Sequence, residues 1–302
     1  MPSLITQVKS KLFLHSSRKS MHALDGAHAS LLRGRSLDFE DLRKYEYGDQ
    51  VRDIDWRATA RLGTPLVKRS RAMRMQTVLF VVDTGRSMTA LAADERPKKD
   101  LAIMAAGALG ILTLRHGDDF TTVYGDASRA RRLPHGRSEG ALEHALRTIS
   151  RATDESTVPN DRDGLLSYVT RTVSRRMIVA VITDEAPITS ETERMLRRLR
   201  VQHDVLWLTL RDADPVLDHA TGRIRSDVDS SWDVPDFVQG DAAIVRQLTA
   251  QAQAEEAHLA ETLKRLEIGH AVLEGQESAV PQLLRLLHGA LSRSGGRSNA
   301  RV

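Results

Sequence analysis

The sequence predicts an α/β domain, a mostly parallel sheet with helices on both faces, preceded by a small β-rich appendage. Three observations predict it. From Thr77 onward, short β-branched runs alternate with longer segments of helical period. Two of those runs, TVLFVVD (77–83) and MIVAVITD (177–184), are continuously apolar and end in a carboxylate, as strands buried on both faces do. The first 76 residues lack this alternation and carry two turn signals, Gly48-Asp49 and Gly63-Thr64, between short apolar pieces.

Taken in order, residues 1–25 read as an N-terminal extension and 26–76 as the appendage, which is too short to bury a core alone and should pack on the following domain. Residues 77–292 form the α/β domain. After the strand 77–83, Pro97 opens a helix in which Leu101, Met104, Ala105, Ala108, Leu109 and Leu112 recur at three and four, with the other faces also mostly apolar. DDFTTVYG (118–125) is the next strand, followed by a polar ribbon over 129–133 and a helix from about Ser138 to Ser150. A Thr/Asp/Pro-rich loop (152–161) leads to a helix with Leu165, Leu166, Val169 and Val173, then to the strand 177–184. Ser190 with Glu193 reads as a capping box for the helix carrying Met195, Leu196 and Leu199. HDVLWLTL (203–210) is a strand. Residues 212–240 show no sustained period and read as an irregular insertion with a hairpin at Thr221-Gly222. A helix over 241–266, a strand IGHAVLE and a helix with Leu283, Leu284, Leu287 and Leu291 complete the domain. Residues 293–302 are expected to be a disordered tail.

Composition narrows the function classes. Of 302 residues, 41% are hydrophobic and 28% charged, which excludes a disordered or collagen-like chain. Zero Cys removes thiol catalysis and Cys-ligated metals. The longest nearly apolar run, Leu101 to Leu114, is shorter than the roughly 17 residues that span a bilayer. Gln7, Lys9 and Lys11 interrupt the only candidate leader segment, so a cytoplasmic protein with no membrane partner is expected. Residues 1–76 carry +7 and the remainder −3, an asymmetry that suits an acidic partner or the chain's own acidic part. Nucleic acid is disfavoured as that partner: the basic segment 57–74 (Arg57, Arg61, Lys68, Arg69, Arg71, Arg74) has no interleaved aromatics to stack bases.

The sharpest local feature is Asp83-Thr84-Gly85-Arg86-Ser87-Met88 at the carboxyl end of the first sheet strand, where open parallel sheets bind ligands. A carboxylate followed by hydroxyl residues can hold a hard divalent cation, with a second acid, Asp184, arriving from a neighbouring strand end. The arrangement resembles the von Willebrand factor A fold, whose metal-ion-dependent adhesion site uses Asp-x-Ser-x-Ser, a loop Thr and a later Asp. More specifically, Gly34, Phe39, Asp41, Arg43, Tyr45, Gly48, Asp49, Arg52, Ile54, Asp55, Trp56, Ala60, Arg61 and Lys68, followed by DTGRSM, resemble the bacterial family called domain of unknown function 58. The stretch GDQVRDIDWRATAR (48–61) is the specific part, and Asp41, Arg43, Asp49, Arg52, Asp55, Trp56 and Arg61 are its structural signature. The resemblance implies a von Willebrand A-like domain working with a MoxR-type AAA+ ATPase in assembly or chaperone-like roles, with no enzymatic activity attached.

This sequence departs from the adhesion-site pattern. Gly85 replaces the middle hydroxyl, Thr153 and Thr157 are poorly placed for the loop Thr, and Arg162 falls where it should be. Asp83, Ser87 and Asp184 remain as a degenerate metal set, so magnesium is the one candidate cofactor and none is expected. The competing reading has Asp83 and Ser87 hydrogen-bonded to backbone amides. Asp83, Gly85, Ser87 and Asp184 are expected to mark the partner-binding rim. Two rival functions are a metal-dependent phosphodiesterase using the acidic block 38–55 and a nucleic-acid-binding protein using 57–74. Interleaved Arg and Lys in the acidic block favour internal ion pairing over catalysis. Trp56 is expected to anchor the appendage on the sheet domain.

Overall fold

A computed structural model of the chain describes residues 3–15, 41–47, 51, 54–69, 76–213, 228–229 and 242–295. Its elements in chain order are α1 (Leu4–His15), β1 (Asp41–Lys44), α2 (Trp56–Leu62), β2 (Leu66–Arg69), β3 (Thr77–Asp83), α3 (Lys98–Arg115), β4 (Asp119–Asp126), β5 (Arg129–Arg132), α4 (Glu139–Glu155), α5 (Arg162–Thr172), β6 (Ile178–Asp184), α6 (Ser190–Gln202), β7 (Asp204–Leu210), α7 (Ala242–Arg265), β8 (Gly269–Leu273) and α8 (Gln276–Gly295).

The main sheet has the order β5-β4-β3-β6-β7-β8, parallel throughout except for the antiparallel edge strand β5. Every residue of β3 and β6 is buried, which is why both read as unbroken apolar runs. Successive side chains point to opposite faces: Val78, Phe80 and Val82 enter one core and Leu79 and Val81 the other. α1, α3, α4 and α8 cover the first face, and α5, α6 and α7 the second. α3 is apolar all round because it lies between the sheet and the other helices of its layer. Its glycines allow that crowding: a Cβ on Gly110 would meet Leu142 at 2.6 Å, and one on Gly107 would meet Val8 at 2.9 Å.

That last contact belongs to an element the sequence did not predict. Residues 4–15 are a docked helix rather than a mere extension, with Ile5, Val8 and Leu12 buried in the first core. A second difference is the cap of α6: Thr189 is the N-cap and closes a capping box with Thr192, displacing the predicted Ser190–Glu193 pair by one residue.

The appendage pairs β1 with β2 antiparallel, as a β-rich segment should, and adds the unpredicted helix α2 between them. Asp55 caps α2 by accepting the Arg57 and Ala58 amides, each at 3.0 Å. Gly63, at φ 68°, ends it in a left-handed turn that favours glycine. Trp56 is 64% exposed and is no anchor on the sheet domain. It opens a helix of 7 residues whose buried residue is Ala58, so its ring lies on the outward face. Asp41 and Arg43 lie on β1, while Asp49, Arg52 and the turn at Gly48-Asp49 fall outside the described residues, as does the hairpin at Thr221-Gly222. α8 runs to Gly295, three residues into the predicted tail, and the rest of that tail is not described. Among the described residues no helix is long and apolar enough to cross a membrane.

Candidate functional site

β3 adds β4 on one side and β6 on the other, so the crevice beyond the carboxyl ends of β3 and β6 is the switch point of the sheet. The fold places Asp83 and Asp184 at the ends of these two strands. Asp83 is fully buried, and neither of its carboxylate oxygens has a hydrogen-bond partner of good geometry. Burial, reinforced by the charge of Asp184, pushes its carboxyl well above the usual carboxylate range, and the nearby Gly85 and Asp161 amides oppose this only in part. Of the backbone amides that Asp83 was expected to lean on, those of Gly85 and Asp161 lie beside it, neither at good hydrogen-bond geometry.

The loop after Asp83 is pinned by backbone bonds. The Thr84 amide donates to Gly125 O, and the Arg86 amide to Val158 O, each at 2.8 Å. A 3-10 turn over Arg86–Thr89 follows. Gly85 lies against residues 159–160, where a Cβ would meet the Asn160 backbone nitrogen at 2.4 Å and Pro159 C at 2.5 Å. The missing hydroxyl thus has a packing reason: no larger side chain fits while that loop stays in place.

The loop-threonine question also resolves. Thr153 is inside α4 and donates to Ile149 O, and Thr157 is exposed. Arg162 turns into the second helical layer. There its guanidinium donates to Ala186 O, Pro187 O and Thr192 Oγ1, and it stacks 5.7 Å from the Trp207 ring centroid. The residue facing Gly85 is Asn160, whose two side-chain polar atoms are buried without a partner. Sequence reasoning passed over it because an amide in a Thr/Asp/Pro-rich loop carries no periodic signal.

Two further residues were missed. Lys98 opens α3, is fully buried, and sets its ammonium 3.5 Å from Asp184 Oδ2 while also pairing with Asp212. Only its separation from the apolar run of α3 hinted at a distinct role. Asp229, from the segment read as an irregular insertion, accepts from Ser87 Oγ at 2.6 Å and pairs with the Arg86 guanidinium. Ser87 accordingly meets a carboxylate, where an amide contact was the alternative to a metal.

These contacts bear on magnesium. The hydroxyl at Gly85 is absent and sterically barred, a full positive charge already stands against Asp184, and Asn160 supplies a neutral amide where a hydroxyl ligand is expected. Among the described residues no group of three or more His, Asp or Glu is placed to hold a metal ion. The donor set does not fit the hard cation of the adhesion-site pattern. In the acidic block, Asp55 spends its side chain on capping α2, Glu46 is exposed, and the remaining acids are outside the described residues or have undescribed side chains.

Residues 41–274 match the family model described as protein of unknown function DUF58. The chain belongs to the DUF58 family. Relatives include Rv1480 of Mycobacterium tuberculosis and Mb1516 of Mycobacterium bovis, both uncharacterised proteins, each 28% identical over 244 residues that cover 80% of this chain and 75% of theirs. Solved structures similar to this DUF58 chain include an aerotolerance-related membrane protein from Bacteroides fragilis, with 17% identity and a TM-score of 0.45, covering 70% of this chain and 98% of that one. Another is a von Willebrand factor type A protein from Catenulispora acidiphila, with 12% identity and a TM-score of 0.39, covering 74% and 43%.

Proposed function

We propose that this DUF58 chain is a non-enzymatic protein-interaction module. Its binding face is the rim at the carboxyl ends of β3 and β6, and its partner is a MoxR-type AAA+ ATPase with which it matures or assembles a client complex in the cytoplasm. The observation that carries this reading is the treatment of charge at the rim. Asp184 is already balanced by a buried lysine, and Asp83 is sealed and driven toward its neutral form, while Arg86 and Ser87 face outward and grip a carboxylate. A hydrolytic site needs a cation or an open general base, and the rim holds its acids closed against both. The appendage adds a second source of contact area, with Tyr47, Val51, Trp56 and Leu62 all exposed.

The test is capture of a purified MoxR-type ATPase by the full chain, comparing wild type with two rim blocks, Ser87→Arg and Leu91→Arg, the latter at an exposed residue just past the 3-10 turn. Capture by wild type and loss in both variants is the expected result. Capture unaffected by either variant removes the rim as the binding face. Phosphodiester or nucleotide turnover by the chain alone, with magnesium or manganese, would replace the reading with an enzymatic one.

A further inference from the structure

The rim's present occupant indicates what it is built to receive. Ser87 and Asp229 are 142 positions apart in sequence, yet the hydroxyl donates to the Asp229 carboxylate at 2.6 Å. The Arg86 guanidinium holds the same residue twice: Nε lies 3.6 Å from Oδ1, and Nη2 donates to the Asp229 backbone carbonyl. The turn does not need these side chains for its own closure, which rests on the Met88 amide to Gly85 O and the Ala90 amide to Ser87 O. Two adjacent residues therefore present a guanidinium and a hydroxyl to solvent, and one acidic residue from a distant segment fills them.

The fit is incomplete in an informative way. Arg86 Nε makes no hydrogen bond, although arginine–carboxylate pairs favour two parallel N–H···O bonds. One fork position is spent on a backbone carbonyl, so Asp229 uses the receptor less fully than a carboxylate free to turn would. The pair is also part-exposed, with side-chain accessibilities of 33% and 41%, and such pairs are weak and salt-screened. The neighbouring acids do not repel an incoming carboxylate strongly, since Asp184 is paired with Lys98 and Asp83 is buried.

We propose that Arg86 and Ser87 form a receptor for an aspartate or glutamate side chain on the protein partner, and that Asp229 is an internal stand-in which the partner displaces. The contact is then autoinhibitory, and it deepens the rim reading above, on which it rests. A partner must outcompete a tethered carboxylate, so its apparent affinity is reduced by the fraction of molecules in which Asp229 is seated.

The probe is a fluorescein-labelled peptide copying residues 223–235 of this chain, in two versions with Asp or Asn at the position of Asp229, followed by anisotropy on the full-length protein. The Asp peptide should bind Asp229→Ala about five- to tenfold more tightly than wild type, the Asn peptide should lose that gain, and adding Arg86→Ala should abolish it. Binding to Asp229→Ala should weaken as salt rises from about 50 to 500 mM. Equal binding of the two peptides, equal binding to wild type and Asp229→Ala, or no binding to Asp229→Ala at millimolar peptide overturns the proposal. ATPase capture separates its failure from that of the rim reading. If Leu91→Arg abolishes capture while Arg86→Ala and Asp229→Ala leave it unchanged, the rim stands and the carboxylate receptor falls. If all three capture equally, the rim itself falls.

Discussion

Asp83 shows how a residue legible in the sequence can carry a chemistry that is not. Its place after TVLFVV announces the carboxyl end of a central strand, and the switch point puts it beside Asp184. What the sequence does not reveal is that no positive charge pairs with it among its described contacts, because Lys98 goes to Asp184 and Asp212 instead. With a folded-state pKa above the unfolded value of about 3.9, Asp83 holds its proton more tightly in the native state. Its contribution to stability is then greatest below the unfolded pKa and is lost as pH rises through the folded one. Asp83→Asn keeps the shape without the charge. It should raise stability by about 1–3 kcal/mol at pH 8, with the gain shrinking toward zero near pH 4, as read from denaturant midpoints at the two pH values. Millimolar magnesium should leave the wild-type midpoint unchanged, whereas a cation at 100 times its dissociation constant would add roughly 2.7 kcal/mol. A loss of stability in Asp83→Asn at pH 8, or a magnesium-dependent rise that the variant lacks, would show that a cation balances this carboxylate.

At the scale of elements, α1 is held by one side chain from α4. Glu143 accepts from the Leu4 amide at 3.0 Å, from the Ile5 amide at 2.9 Å and from Ser3 Oγ at 2.9 Å, capping a helix more than a hundred residues away. Burial alone would raise its pKa, but the hydrogen bonds from Ile5, Arg147, Leu4 and Ser3 outweigh it and bring the carboxyl to about 2. The stabilisation is present above the unfolded value of about 4.3 and is lost as pH falls toward 2. Glu143→Gln should therefore cost about 1–2 kcal/mol at pH 6, by hydrogen exchange of the α1 amides, and progressively less below pH 4. A deficit that is constant from pH 6 to pH 2.5 would mean that shape, and not charge, holds the helix. The sheet strands and helices α3 to α8 were legible because burial on one or both faces writes its period into the residues. α1 carries the same information in Ile5, Val8 and Leu12, but these three are interrupted by Gln7, Lys9 and Lys11. The cap at Glu143 and the seat of Asp229 are long-range pairings, and no local spacing encodes them.

At the scale of the whole molecule, the sequence reading packs residues 26–76 on the sheet domain with Trp56 as the anchor, and of that segment residues 41–47, 51, 54–69 and 76 are described. Tyr45, Tyr47 and Trp56 are exposed; within the segment the Tyr45 amide donates to Pro65 O, the Asp55 amide to Leu66 O and the Leu66 amide to Thr59 Oγ1, while Gln76 at its end bonds Asp118 and Asp119 of the sheet domain. The N-terminal helix has the opposite character: Ile5, Val8 and Leu12 are buried against α3, α4 and α8. Each buried aliphatic side chain is worth about 1.5–3 kcal/mol, and a domain has roughly 5–15 kcal/mol in total. A chain beginning at residue 16 should thus lose several kcal/mol and expose the packing surface that Gly107 provides for Val8. Replacing residues 41–69 with a Gly/Ser linker, with 1–15 retained, should cost within about 1 kcal/mol, since surface changes are usually small. The +7 of the first 76 residues against the −3 of the remainder adds an attraction that salt screens, so the comparison belongs at about 0.15 M ionic strength or above. Urea midpoints of the three chains decide the matter. If the linker replacement falls as far as the truncation, the appendage covers the sheet domain after all, and its exposed aromatics lose their standing as contact area for a partner.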